Sequence, residues 1–222
     1  MLKKIINISK IYSWDISLNI LDIKLNQQIL INNNKISKIQ NKITDKVDEV
    51  IDAKNCIVTP GFIDSHTHPI FIGNRANEFI MRLNGKTYDE IKKNGGGILS
   101  SIKGVREASL DELFISSMKN IRPFISHGTT TIEAKSGYGL TLKDEVKSLE
   151  VIKKINNNLD VDIIPTFLGA HATPEEYSSN EYIDIICNEM IPEIAEKKLA
   201  VFCDVFCEDG YFNIEQSRSI LN

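Results

Sequence analysis

The sequence predicts an α/β fold in which a small β-rich segment precedes four successive strand–helix units. Three observations carry this expectation. Short β-branched and apolar runs, separated by polar residues, fill positions 1 to about 57. From Cys56 onward the rhythm changes to strand, loop, helix, strand. Residues suited to helix N-caps stand where the helical patterns begin.

In the first segment, Ile5, Ile6, Ile8 and Ile11, then Ile16, Leu18, Ile20 and Leu21, then Ile29, Leu30 and Ile31 read as short strands. Asn32-Asn33-Asn34-Lys35 predicts a hairpin turn, because Asn tolerates left-handed backbone angles. Ile36 and Ile39 follow, then Val47, Val50 and Ile51. Residues 1–57 are therefore expected to form one β-rich domain and 58–222 a second domain.

In the second domain, Ile57-Val58 leads into a first strand at 61–66. A long connection follows. Ser109 with Glu112 three residues later is a capping box, opening a helix with Leu110, Leu113, Phe114, Ser117, Met118, Ile121 and Ile125 at helical spacing. Pro123 is expected to kink that helix or end it early. A second strand is expected at 129–134. The helix after it starts near Thr141, with Leu142, Val146, Leu149, Ile152 and Ile155 on one face.

Residues 161–168 read as the third strand. Ser178 with Glu181 opens a third helix, disturbed by Pro192. A fourth strand at 199–206 precedes a fourth helix begun by Asn213 and Gln216. Units of this kind imply a parallel sheet with right-handed crossovers. Periodicity leaves two forms open: a doubly wound sheet, or half of an eight-fold barrel, which when complete needs roughly 250 residues.

Composition narrows the functional classes. Across 222 residues the net charge is -4, and no run of Lys or Arg marks a nucleic-acid footprint. No apolar stretch approaches the ~20 residues that span a bilayer. The basic start, Met1-Leu2-Lys3-Lys4, leads into Asn, Ser and Lys that interrupt any signal-peptide core, so a cytoplasmic protein is expected. Cys56, Cys187, Cys203 and Cys207 are too few to suggest a disulfide framework. Cys203 and Cys207 are expected on one face of the fourth strand as buried thiols rather than metal ligands.

The sharpest chemical feature is Pro60-Gly61-Phe62-Ile63-Asp64-Ser65-His66-Thr67-His68. Two histidines at i and i+2 of an extended segment face the same side, so both imidazoles can reach one ion. They stand at the C-terminal end of a strand, where barrel active sites gather. His127 sits at the opposite end of its strand and is given no catalytic role. Gly95-Gly96-Gly97 lacks the following Lys-Ser or Lys-Thr of a phosphate-binding loop.

The segment from Pro60 to His68 resembles the first-strand signature of the metal-dependent amidohydrolase superfamily. Within it, several blocks resemble imidazolonepropionases: His68-Pro69-Ile70-Phe71-Ile72-Gly73-Asn74-Arg75 with Glu78-Phe79 and Gly95-Gly96-Gly97-Ile98, the stretch from Gly128 to Leu140, that from Thr166 to Ala172, and Asp204-Val205-Phe206-Cys207-Glu208. The resemblance implies the first four strand–helix units of a (β/α)8 barrel, preceded by an incomplete β-sandwich. It implies one divalent ion, zinc or iron, held by His66 and His68, that activates a water. Arg75, Tyr138 and His171 match substrate-binding positions, with the Arg75 guanidinium suited to grip a carboxylate.

The implied reaction is hydrolysis of 4-imidazolone-5-propanoate to N-formimidoyl-L-glutamate in histidine degradation. The family draws another His from after the fifth strand, an Asp from after the eighth and an acidic proton-handling residue, none of which these 222 residues are expected to supply. A truncated chain, inactive alone, is therefore expected, with a homo-oligomer or a complementing C-terminal half as its protein partner. Two alternatives stand beside this reading. One is another amidohydrolase, such as a purine or pyrimidine aminohydrolase; the other is a non-catalytic half-barrel binding module.

Overall fold

The computed structural model describes residues 1–74, 76–87, 90–91 and 96–222. Arg75 and Gly95, both named above, lie outside the described residues. The chain forms two compact units, Met1–Gly61 and Phe62–Asn222.

The first unit holds β1 (Leu2–Ile6), β2 (Lys10–Asp15), β3 (Ile20–Leu25), β4 (Gln28–Asn32), β5 (Lys35–Gln40), β6 (Glu49–Asp52) and β7 (Ile57–Val58). They make two sheets, ordered β5-β4-β1-β6 and β3-β2-β7. Ile8, Ile11 and Ile29 are buried at its core. The β4–β5 hairpin turns at Asn33, whose φ of 54° is the left-handed geometry that the Asn run suggests. Ile57-Val58 pairs with β2, so the unit boundary falls a few residues later than expected from the sequence.

The second unit is built on β8 (Phe62–Thr67), β9 (Thr129–Lys135), β10 (Asp162–Ala170) and β11 (Phe202–Val205). All neighbouring pairs are parallel, in the order β11-β10-β9-β8. Each of β9, β10 and β11 pairs with its predecessor in the chain. A doubly wound sheet would reverse direction at a switch point; this sheet does not, and the sequential order is that of a barrel arc.

Helices α1 (Ala76–Leu83), α2 (Ile98–Glu107) and α3 (Leu110–Ser126) lie between β8 and β9, and α4 (Leu142–Asn156) between β9 and β10. After β10 come α5 (Ser179–Ile185), a π-helical turn (Ile186–Met190) and α6 (Ile191–Glu196); α7 (Ile214–Leu221) follows β11. The capping boxes of Ser109 with Glu112, Ser178 with Glu181 and Asn213 with Gln216 all form. Thr141 caps α4 by accepting from the Asp144 backbone N–H. No described helix is long and apolar enough to cross a membrane.

The sheet's two faces differ. Ile132 and Ala134 of β9 point into a core shared with Leu113, Ile121, Leu149 and Ile152 of the helices. Thr131, Glu133 and Lys135 alternate onto the other face and line a hollow of about 360 Å³ with Ile164, Thr166, Cys203 and Asp204.

Three local expectations need correction. Of the two outcomes expected at Pro123, a kink or an early end, the early end does not occur: α3 runs on to Ser126, since a proline forfeits only its own N–H bond to the carbonyl four residues back. Cys203 and Cys207 are exposed, not buried: β11 ends at Val205, and among the described residues Cys203 lines an open hollow on the sheet face. The long connection after the first strand contains α1 and α2. Pro192 behaves as expected, standing at the start of α6 directly after the π-helical turn.

Leu149 is fully buried in this core, so Leu149→Ala should lower the unfolding free energy by roughly 2–5 kcal/mol in urea titration. Ser109→Ala, which removes one cap, should cost only about 1 kcal/mol.

Candidate metal and substrate site

The C-terminal ends of β8, β9 and β10 bring four of the sequence-selected residues together. His66 lies within β8 and His68 just beyond it. Their ring centroids are 5.2 Å apart. His171, following β10, stacks on His68 at 5.0 Å, and Tyr138, following β9, lies 5.9 Å from His68 and 5.3 Å from His171. Phe206 closes one side, 6.0 Å from His171. Where Arg75 stands relative to this group lies outside the described residues.

His68 fits a cation ligand. Its Nδ1 is buried and has no hydrogen-bond partner among the described residues. Burial, then the nearby charges of His171, His66 and Lys135, pull its pKa down to about 4 despite Glu133. The ring is therefore neutral near pH 7, the form that ligates a metal. Two imidazoles do not complete a catalytic zinc site, which takes about three protein ligands. Among the described residues no group of three or more His, Cys, Asp or Glu side chains is disposed to hold an ion.

Sequence reasoning missed the charged cluster beneath these histidines. Lys135, a residue only 4% exposed, donates from Nζ to Glu133 Oε1 at 2.6 Å and to Asp204 Oδ2 at 2.7 Å. The other Glu133 oxygen accepts from the Thr67 backbone N–H at 3.3 Å, and the Thr67 hydroxyl donates to the Glu133 carbonyl at 2.6 Å. Thr67 sits between the two histidines. A carboxylate on β9 thus helps fix the backbone that aims both imidazoles from β8. The opposite charges at i and i+2 in Glu133-Ala134-Lys135 were the available sequence signal, since such residues share a strand face.

Burial acts against the Lys135 ammonium, but its bonds to Asp204 and Glu133 hold its pKa above the ordinary lysine value. Burial likewise acts against the Asp204 carboxylate, and the Lys135 bond together with the Val205 backbone N–H holds it below the ordinary range.

Beside Tyr138 lies a cavity of about 410 Å³, lined also by Phe71, Ile72, Gly73, Asn74, Ser100, Ser101 and Asn120. Asn120 ties its rim by donating to the carbonyls of Pro69 and Phe71. The Tyr138 loop has its own frame. Gly137 has φ 104°, and a Cβ there would meet the Leu168 carbonyl at 2.7 Å, so no larger residue fits. The Gly137 carbonyl accepts from His171 Nδ1 at 2.8 Å.

Comparisons with known proteins follow this geometry. The amidohydrolase family matches residues 49–113. The chain is 56% identical over 175 residues to an imidazolonepropionase of Brevibacillus brevis, covering 78% of this chain and 41% of that protein. It is 50% identical over 188 residues to one from Clostridium tetani, covering 84% and 45%. A third, from Christiangramia forsetii, is 45% identical over 204 residues, covering 89% and 49%. The chain thus spans about half the length of the curated relatives it matches.

Among solved structures, a prolidase complexed with N-methylphosphonate-L-proline superposes with a TM-score of 0.57 at 12% identity, over 99% of this chain and 52% of that one. A 5-methylcytosine deaminase from Klebsiella pneumoniae gives 0.56 at 14%, over 98% and 54%. At such identities these two establish the fold alone.

Replacing Lys135 with Met should destabilise the second unit by up to about 3 kcal/mol in urea, because Glu133 would keep a buried charge without its cation. Lys154→Met, which breaks an exposed pair with Asp111, should change stability by less than about 1 kcal/mol. The contribution of the Lys135 pair is lost at both pH extremes. It fades as acid protonates Asp204 through its depressed pKa, and as base deprotonates Lys135 through its raised one.

Proposed function

We infer from its place in the amidohydrolase family, as a homologue of imidazolonepropionases, that this chain carries the metal-anchoring and substrate-binding wall of an imidazolonepropionase. The observation that carries this reading is the meeting of His66, His68, Tyr138 and His171 at three adjacent strand ends. The reaction is hydrolysis of 4-imidazolone-5-propanoate to N-formimidoyl-L-glutamate. A divalent ion, zinc or iron, when bound supplies an activated water.

His66 and His68 would hold that ion, both directed from one strand end and the buried His68 imidazole neutral. The rings of Tyr138 and His171 offer a flat aromatic flank to a planar heterocycle. The cavity beside Tyr138 has room for a short acyl tail, and Arg75, next in sequence to the lining residue Asn74, would pair with its carboxylate. The set of Arg75, Tyr138 and His171 favours this substrate over a purine or pyrimidine, which needs no carboxylate partner.

Two histidine ligands leave the ion short of a catalytic set, so residues 1–222 alone are expected to bind Zn²⁺ weakly and to turn over no imidazolone propionate. Joined to the remainder of the Brevibacillus brevis relative, the same residues should hydrolyse it, followed by loss of substrate absorbance. In that chimera His66→Asn should remove metal and activity together. Arg75→Met should raise KM roughly 10–100-fold, the loss of one charge-assisted contact. A chimera that deaminates a purine or pyrimidine and ignores imidazolone propionate would overturn this reading.

A further inference from the structure

Glu145 lies in the first turn of α4 and is completely buried. Its side chain turns back onto the preceding loop. Oε1 accepts from the backbone N–H groups of Gly139 at 2.8 Å and Leu140 at 2.9 Å. Oε2 accepts from the Gly137 N–H at 2.9 Å, and Oε1 also lies 3.2 Å from that nitrogen. The Ser136 hydroxyl oxygen, next to this loop, accepts from the Leu168 N–H on β10.

Three backbone donors from four consecutive residues thus converge on one carboxylate. Two of those four residues, Gly137 and Leu140, have left-handed backbone angles, φ 104° and 54°. Leu140 is fully buried and not a glycine, so its conformation is held from outside rather than by preference. This loop carries Tyr138, and the Gly137 carbonyl faces His171 Nδ1. A carbonyl only accepts, so Nδ1 must bear the proton and the lone pair of the neutral ring falls on Nε2.

We propose that Glu145 is a positioning residue of the substrate wall: its carboxylate fixes the loop so that the Gly137 carbonyl sets the His171 tautomer and Nε2 presents an acceptor. The inference rests on the reading of Tyr138 and His171 as substrate-facing. Glu145 acts through the loop and does not touch the ligand.

The chain has four histidines, which makes the test direct: ring ¹⁵N spectra of the metal-free 222-residue protein, with His171 identified by the signals lost in His171→Asn. They are recorded at a pH above the ordinary histidine titration range. The native chain should show His171 with a protonated Nδ1 and an unprotonated Nε2. Glu145→Gln sets an amide NH₂ or a weakened acceptor against backbone donors, and should move His171 toward the Nε2–H form. A role confined to stability would change the melting curve and leave that signature alone.

If Glu145→Gln does not fold by circular dichroism, Glu145→Asp keeps the charge, withdraws it by one methylene, and should give the same shift in part. A native His171 in the Nε2–H form overturns the proposal. So does a folded Glu145 variant with the native signature. Neither readout needs metal or substrate, so failure here leaves the imidazolone reading standing. An inactive chimera would leave the role of Glu145 standing.

Discussion

The buried ammonium of Lys135 is the interaction on which the working end of the second unit depends. Placing that charge on a sheet face is unfavourable unless partners are held in good geometry, and Glu133 and Asp204 provide them from β9 and the end of β11. The ammonium thus links β9 with a strand two positions away, across β10. Glu133 extends the link to β8 through Thr67. Three strand ends are set by one network of charge-assisted bonds, and the histidine pair inherits its direction from them.

The second frame of the site is independent of the first. Glu145 organises its loop from the helix side, Lys135 organises the strand side, and the two meet at the His68–His171 stack. Both are buried titratable groups whose partners lie mostly within the sheet and its adjoining loop. Such arrangements hold side-chain directions closely because an unsatisfied partner in a dry environment is costly. A ligand-binding wall assembled from separate strand ends needs that rigidity, since each contributing segment is otherwise free to move.

Much of this was legible where the controlling interactions are local. The starts of α3, α5 and α7 follow from Ser109, Ser178 and Asn213, whose side chains bond backbone three residues away. The helix α2 was not legible because its N-cap is Gly97, with no side-chain cap to mark it. For α1 the signal was Asn74, which accepts from the Ala76 N–H, a single bond easily taken for a loop turn. Strand order was undetermined by periodicity, because pairing is a non-local choice. Cys203 was misread because an apolar strand sequence does not reveal whether a second layer covers its face. Glu145 in sequence is an ordinary first-turn acidic residue; only the loop folded over it gives it three backbone partners.

The sequential order of β8, β9, β10 and β11 has a consequence for how such a sheet comes into being. Every new strand docks on the one made just before it, so loops to be closed are those of a single strand–helix unit. During synthesis the arc can grow in step with the emerging chain, because β9, β10 and β11 each pair with the strand made before it. Its growing rim, meanwhile, stays adhesive: Ile63 is 72% exposed on the first strand and Phe202 58% on the last. The architecture is therefore a ratchet of assembly, in which each stage is already a packed intermediate and also the template for the next.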